Sequence, residues 1–123
     1  MLTLEENQIN NIMDIAANIE RISQTIRDGV TLVAVSKFHP AEAIMQAYNA
    51  GQRDFGESRV QELAQKVRDL PKDIRWHFIG HLQTNKVRAL VPNVSLIHSI
   101  DSEHLLRYVN KEAARIGKVV DVL

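Results

Sequence analysis

Cysteine is absent from the 123 residues, which excludes disulfides, a thiol nucleophile and cysteine–zinc sites. Neither sign of charge is in excess: 15 basic and 15 acidic residues cancel, which argues against a dedicated nucleic-acid binder. No run of about 18 apolar residues occurs, so no membrane span is expected. The first ten residues carry Glu5 and Glu6 and no basic stretch, so no secretory signal is expected either. A cytoplasmic address fits these absences. Gly51 and Gly56 fall into neither a GxGxxG nor a GxxxxGK spacing, so no nucleotide-binding loop is expected. No internal repeat, low-complexity stretch or linker interrupts the chain, and residues 1–123 read as one domain.

What is present is an alternation. Leu4, Ile12, Ile15, Ile19, Ile22 and Ile26 recur at three- and four-residue steps and predict one long amphipathic helix. Thr3 and Glu6 suit a capping box at its start, and Gly29 its end. A β-branched apolar run, 31–36, predicts a buried strand. Pro40 suits a first helical position, with a helix over 41–49 and Gly51 behind it. A short strand over 53–57 follows, then a helix from the Ser58/Gln61 capping-box pattern to about Leu70. Further strands are expected over 74–80 and 95–100, with a helix over 82–90 between them, closed by Pro92. A helix over 103–116, capped by Asp101 or Ser102 and ended by Gly117, leads to a last strand, 119–123. Short links between alternating elements imply a parallel α/β sheet with right-handed crossovers. Either it is a complete open sheet of five strands, or it is the first part of a (β/α) barrel, which needs about 250 residues. The apolar run at 119–123 has no turn signal and would leave an open edge, which favours the incomplete barrel and allows self-association there.

Parallel strands all end on one face. Here that face gathers Lys37, Glu57, Ser58, Gly80, His81, Ser99 and Asp101: an amine, carboxylates, hydroxyls and an imidazole around one mouth, a set suited to a small polar ligand with a carbonyl. Lys37 closes the first strand, and in the pleat it shares a face with Val33 and Val35, which points it into the mouth of a barrel. A half-desolvated amine there can attack a carbonyl. It can also be a solvated lysine marking a strand end. Ser58 and Asp101 precede helices and suit caps. His77 and His81 are four apart across a strand end rather than along a helix, so no metal pair is expected. His98 and His104 read as structural or solvated, and Lys66, Arg68, Asn85, Lys86 and Arg88 do not make a nucleic-acid patch.

Four runs together carry a resemblance: Ala34-Val35-Ser36-Lys37, Gly51-Gln52-Arg53-Asp54-Phe55-Gly56-Glu57, Trp76-His77-Phe78-Ile79-Gly80-His81-Leu82-Gln83-Thr84-Asn85-Lys86, and His98-Ser99-Ile100-Asp101-Ser102. In order and spacing they resemble the YggS/PROSC family of pyridoxal phosphate (PLP) homeostasis proteins. The resemblance implies a TIM-like barrel similar to the alanine racemase N-terminal domain, of which about the first five strands lie here. It implies PLP held as an aldimine on Lys37, a role in PLP homeostasis without established catalysis, and PLP-dependent apo-enzymes as partners. The family reads Gly-Glu-Asn where this chain has Gly56-Glu57-Ser58, so Ser58, shorter than asparagine, stands where a contact to the PLP ring is implied. The resemblance implies three more strands, the last two of which supply the phosphate donors, so residues 1–123 by themselves are expected to hold PLP weakly or not at all. No tyrosine falls at a strand end; Tyr48 and Tyr108 fall within predicted helices, and no second acid/base for racemisation is visible. Other readings of the same residues are a Schiff-base lyase of aldolase type, in which Lys37 attacks a keto substrate directly, and a structural fragment that binds nothing.

Overall fold

The computed structural model describes residues 15–123. The expected cap at Thr3 and Glu6 and the apolar positions Leu4 and Ile12 lie outside them. The described part of the first helix, α1, covers 15–23. Then come β1 (Ala34–Val35), α2 (Ala41–Asn49), β2 (Asp54–Glu57), α3 (Val60–Asp69) and β3 (Arg75–Phe78). A 3-10 turn, Thr84–Lys86, runs into α4 (Val87–Leu90) and a second 3-10 turn, Val91–Asn93. β4 (Leu96–Ile97), α5 (Glu103–Arg115) and β5 (Asp121–Val122) complete the order.

The strands form one sheet in chain order, β1-β2-β3-β4-β5, with every neighbouring pair parallel. This is the parallel α/β sheet expected from the alternation. Its register explains its two faces. Ala34 lies opposite Phe55, Phe55 opposite Trp76, and Phe78 opposite Ile97. That row joins the apolar core with Ile44 and Ala47 of α2, Leu63 of α3, Leu90 of α4 and Val109 of α5. Burying each large side chain of this row removes roughly 1.5–3 kcal/mol of unfavourable hydration. Strand side chains alternate, so Val33, Val35, Asp54, Gly56, Arg75, His77 and Leu96 belong to the other face. No helix among the described residues is long and apolar enough to cross a membrane.

Several boundaries differ from the sequence reading. The first helix stops at 23 rather than at Gly29, although Gly29 does take a positive φ of 86°. Ile15 and Ile19 pack on the core, but Ile22 is exposed. Pro40 is the N-cap of α2, one position before the first helical residue. The N-cap of α3 is Arg59, with no side-chain hydrogen bond, so Ser58 and Gln61 do not form a capping box. Ser102, not Asp101, caps α5: its hydroxyl accepts from the Leu105 N–H at 3.1 Å. The helix expected over 82–90 is broken into 3-10 and α turns, with Pro92 inside the last of them. The strands are shorter than their apolar runs: β1 begins at Ala34 rather than at 31, and β5 at Asp121 rather than at 119.

Candidate functional site

Lys37 sits two residues beyond β1, in a tight turn. The His39 N–H donates to Ser36 O at 3.0 Å and closes a four-residue turn with Lys37 and Phe38 in its middle. Phe38 takes a φ of 64°, the left-handed region that such a turn reserves for glycine or asparagine. For a bulky residue this costs on the order of 1–2 kcal/mol. Two contacts offset it: the Phe38 N–H donates to Glu62 Oε1 at 2.9 Å, and the Arg59 guanidinium lies 5.0 Å from the centre of the Phe38 ring. Lys37 itself is exposed, and its amine meets no hydrogen-bond or ion-pair partner among the described residues. The strand pleat ends at Val35, so it does not by itself aim the Lys37 stem.

Behind this turn, on the helix side of the sheet, lies a buried polar cluster. Glu57 is fully buried at the end of β2. Its carboxylate accepts from the Ser36 hydroxyl and, at 2.9 Å, from the Lys66 ammonium. Lys66 also donates to Ser36 O at 2.9 Å and to Glu62 Oε1 at 2.8 Å. The hydrogen bond from Lys66, and the Phe38 N–H after it, hold the Glu62 carboxyl below the usual range against the opposing effect of burial.

The opposite face of the sheet carries a second chain of polar groups. Arg75 donates to both oxygens of Asp54, at 3.0 and 2.7 Å. His77 Nε2 meets Asp54 Oδ1 at 2.9 Å, and His77 Nδ1 meets His98 Nε2 at 2.9 Å. Burial opposes ionisation of Asp54, yet the hydrogen bonds from Arg75 and His77 outweigh it and keep its carboxyl below the usual range. An ionised Asp54 makes His77 Nε2 a donor, and in the neutral imidazole Nδ1 is then the acceptor that faces His98 Nε2. Burial, and then the neighbouring His77, push the His98 pKa down. Sequence reasoning read His98 as structural or solvated and named no partner for it. Its partner is set by the register of β3 and β4, which no local pattern reports.

Of the residues expected at the mouth, Ser58 is half-buried and His81 exposed. Both line a cleft of about 540 Å³ with Arg59, Gln61, Glu62 and Lys86, within the size range of small-ligand sites. Gly80 makes the closeness of this rim possible: a Cβ there would fall 2.2 Å from the Ser58 carbonyl oxygen. Lys37 does not line that cleft; it is joined to it through Phe38, Arg59 and Glu62. Ser99 Oγ, past the end of β4, is the one buried side-chain polar atom without a partner among the described residues. Asp101 is exposed and caps nothing. Among the described residues no group of three His, Asp or Glu side chains is placed to hold a metal. Sequence reasoning also missed Lys66, whose place on an amphipathic helix reads as solvated. Only the fold buries it.

Comparison with known proteins places this arrangement. The family model for the alanine racemase N-terminal domain matches residues 11–123. A pyridoxal phosphate homeostasis protein of Schizosaccharomyces pombe is 55% identical over 83 residues, 66% of this chain and 35% of that protein. Its counterpart in Aquifex aeolicus is 46% identical over 93 residues, 75% of this chain and 41% of that protein. The chain thus spans between about a third and a half of the length of the curated relatives it matches. PipY of Synechococcus elongatus, solved with PLP bound, superposes with a TM-score of 0.83 at 43% identity, over 88% of this chain and 52% of that one. Alanine racemase from E. faecalis, at 15% identity and a TM-score of 0.69 over 82% of this chain and 28% of its own, shares the fold alone. The chain belongs to the alanine racemase N-terminal domain family, and its relatives in Schizosaccharomyces pombe and Aquifex aeolicus are named pyridoxal phosphate homeostasis proteins.

Proposed function

We propose that this chain is the PLP-binding part of a PLP homeostasis protein, that it forms one incomplete barrel domain with an N-terminal helix, and that Lys37 is the residue that holds the cofactor. PLP, when bound, supplies an aldehyde that takes up an amine. The observation that carries the reading is the state of Lys37. Both of its neighbours are pinned, Ser36 by Glu57 and Lys66, Phe38 by Glu62, while its amine has no partner among the described residues. Lys66, by contrast, is held by two carboxylates, those of Glu57 and Glu62.

The donor set at this end of the sheet suits the group. Ser58 offers a half-buried hydroxyl on the cleft wall, and the Ser99 hydroxyl is buried without a partner. An orphaned buried hydroxyl costs about 1–3 kcal/mol, which a bound polar ligand or water would recover. Ser58 is the residue we assign to the ring side of the cofactor. PipY with PLP bound, at 43% identity, supports the same reading.

The role is binding and delivery to PLP-dependent apo-enzymes rather than turnover. Tyr48 donates to Asp73, just ahead of β3, and Tyr108 meets His104 edge to face on α5, so neither serves the C-terminal strand ends. The names of the relatives point the same way. The compartment we assign to this role is the cytoplasm. Titration with PLP tests the binding role. Because residues 1–123 are expected to hold PLP weakly, the titration runs to excess PLP without desalting, and the visible absorbance that develops with the parent chain is expected to be lost in Lys37→Ala. Equal absorbance in the two would remove Lys37 from the site.

A further inference from the structure

One buried ammonium grips the turn that carries Lys37. The Lys66 side chain is 11% exposed and ends on three oxygens: Ser36 O, Glu57 Oε1 and Glu62 Oε1, at 2.9, 2.9 and 2.8 Å. Three N–H donors meet three acceptors, so the ammonium is saturated. Every acceptor is tied to a neighbour of Lys37. Ser36 precedes it in the chain. Glu57 accepts the Ser36 hydroxyl, and Glu62 accepts the Phe38 N–H that follows. None of them hydrogen-bonds the Lys37 amine.

Given the reading of Lys37 above, on which this rests, we propose that Lys66 is a positioning residue for it. By holding Ser36 and, through Glu62, Phe38, Lys66 fixes the backbone from which the Lys37 amine projects. The physical reason is conformational. A lysine stem has four rotatable bonds, and a turn with a bulky residue at positive φ has easier conformations to relax into. The clamp removes the backbone from that search and leaves only the stem to be oriented. A purely structural ion pair would need one carboxylate. Dividing one charge among a strand-end carbonyl and two carboxylates needs a compact donor with three directions, which a flat guanidinium lacks.

The test reads the rate at which added PLP reacts with the chain, followed by absorbance, together with hydrogen exchange at the Phe38 amide. Lys37→Ala gives the background from other lysines. Lys66→Met is expected to lower the Lys37-dependent rate about tenfold. It should also speed exchange at Phe38 while leaving the Phe55 and Phe78 amides unchanged. Should Lys66→Met fail to fold, Glu62→Ala makes the same test without burying an unpaired charge. It is expected to lower the rate about threefold and release the Phe38 amide. Glu62→Gln, whose amide oxygen still accepts from Phe38 and Lys66, should restore both. A folded Lys66→Met or Glu62→Ala that keeps the parent rate, while Lys37→Ala stays at background, overturns the positioning role and leaves the Lys37 reading standing. A Lys37→Ala rate equal to the parent's overturns the reading itself, and the positioning role with it.

Discussion

Replacing Gly80 with alanine is the most local way to disturb the mouth of the sheet. The added Cβ would fall 2.2 Å from the Ser58 carbonyl oxygen, 2.8 Å from its carbon and 2.9 Å from its Cα. A carbon and a carbonyl oxygen rest no closer than about 3.3 Å, so the loops after β2 and β3 must part by about 1 Å. Both partners are backbone, so no rotamer change relieves the clash. The Ile79 N–H, one residue before Gly80, donates to Glu57 O at 2.9 Å, and Glu57 is one residue before Ser58, so parting the loops strains this bond first. Losing it costs about 1 kcal/mol, and overpacking adds about 1–3. Reduced freedom of the unfolded chain returns about 0.4–1. The net expectation is a loss of about 1–3.5 kcal/mol, read as a lower midpoint in urea at unchanged slope. Gly117→Ala is the control: nothing lies within 4 Å of its Cβ, and only its φ of 66° penalises a side chain, by about 1 kcal/mol. A Gly80→Ala loss below about 0.5 kcal/mol would refute the close approach of the two loops.

Further expectations follow from the charge and cap arrangements. Asp54 has a depressed carboxyl pKa through Arg75 and His77 against the effect of burial, so its contribution to stability is complete above the ordinary value near 4 and is lost as pH falls through the lower folded value. Asp54→Asn should therefore flatten the acid limb of a stability–pH curve, and an unchanged limb would count against the pairing. His98 is depressed by burial and by His77, so below its ordinary value of about 6.5 the unfolded chain takes up a proton that the folded one refuses. Stability should fall from pH 7.5 towards 5.5, and His98→Gln should reduce that fall; a slope of the other sign would reverse the assignment. Ser102→Ala removes the one side-chain cap of α5 and should cost about 1 kcal/mol, measured by thermal unfolding, while Asp101→Ala should cost almost nothing.

The layout of strands and helices was legible because burial imposes a period: Phe55, Trp76, Phe78 and Ile97 sit where alternation puts them on the helix side. Lys37 was legible as a strand-end amine within a family motif, although β1 stops at Val35, one residue before the expected end. What stayed hidden depends on partners distant in sequence. Ser58 and Gln61 match a capping pattern, but the helix starts one residue later, where the rim loop packs on Gly80. Lys66 looks like any polar helix position until Glu57, nine residues earlier, is folded behind it. Asp54, His77 and His98 come together only through the register of three strands.

The central claim, that the Lys37 amine is the group that takes PLP, is tested most directly by borohydride reduction of the chain with PLP, followed by peptide mapping. The account predicts one reduced adduct, on the peptide containing Lys37, with Lys66 unmodified and exposed Lys111 at background. Modification spread evenly over the exposed lysines, or confined to a lysine other than Lys37, would contradict it.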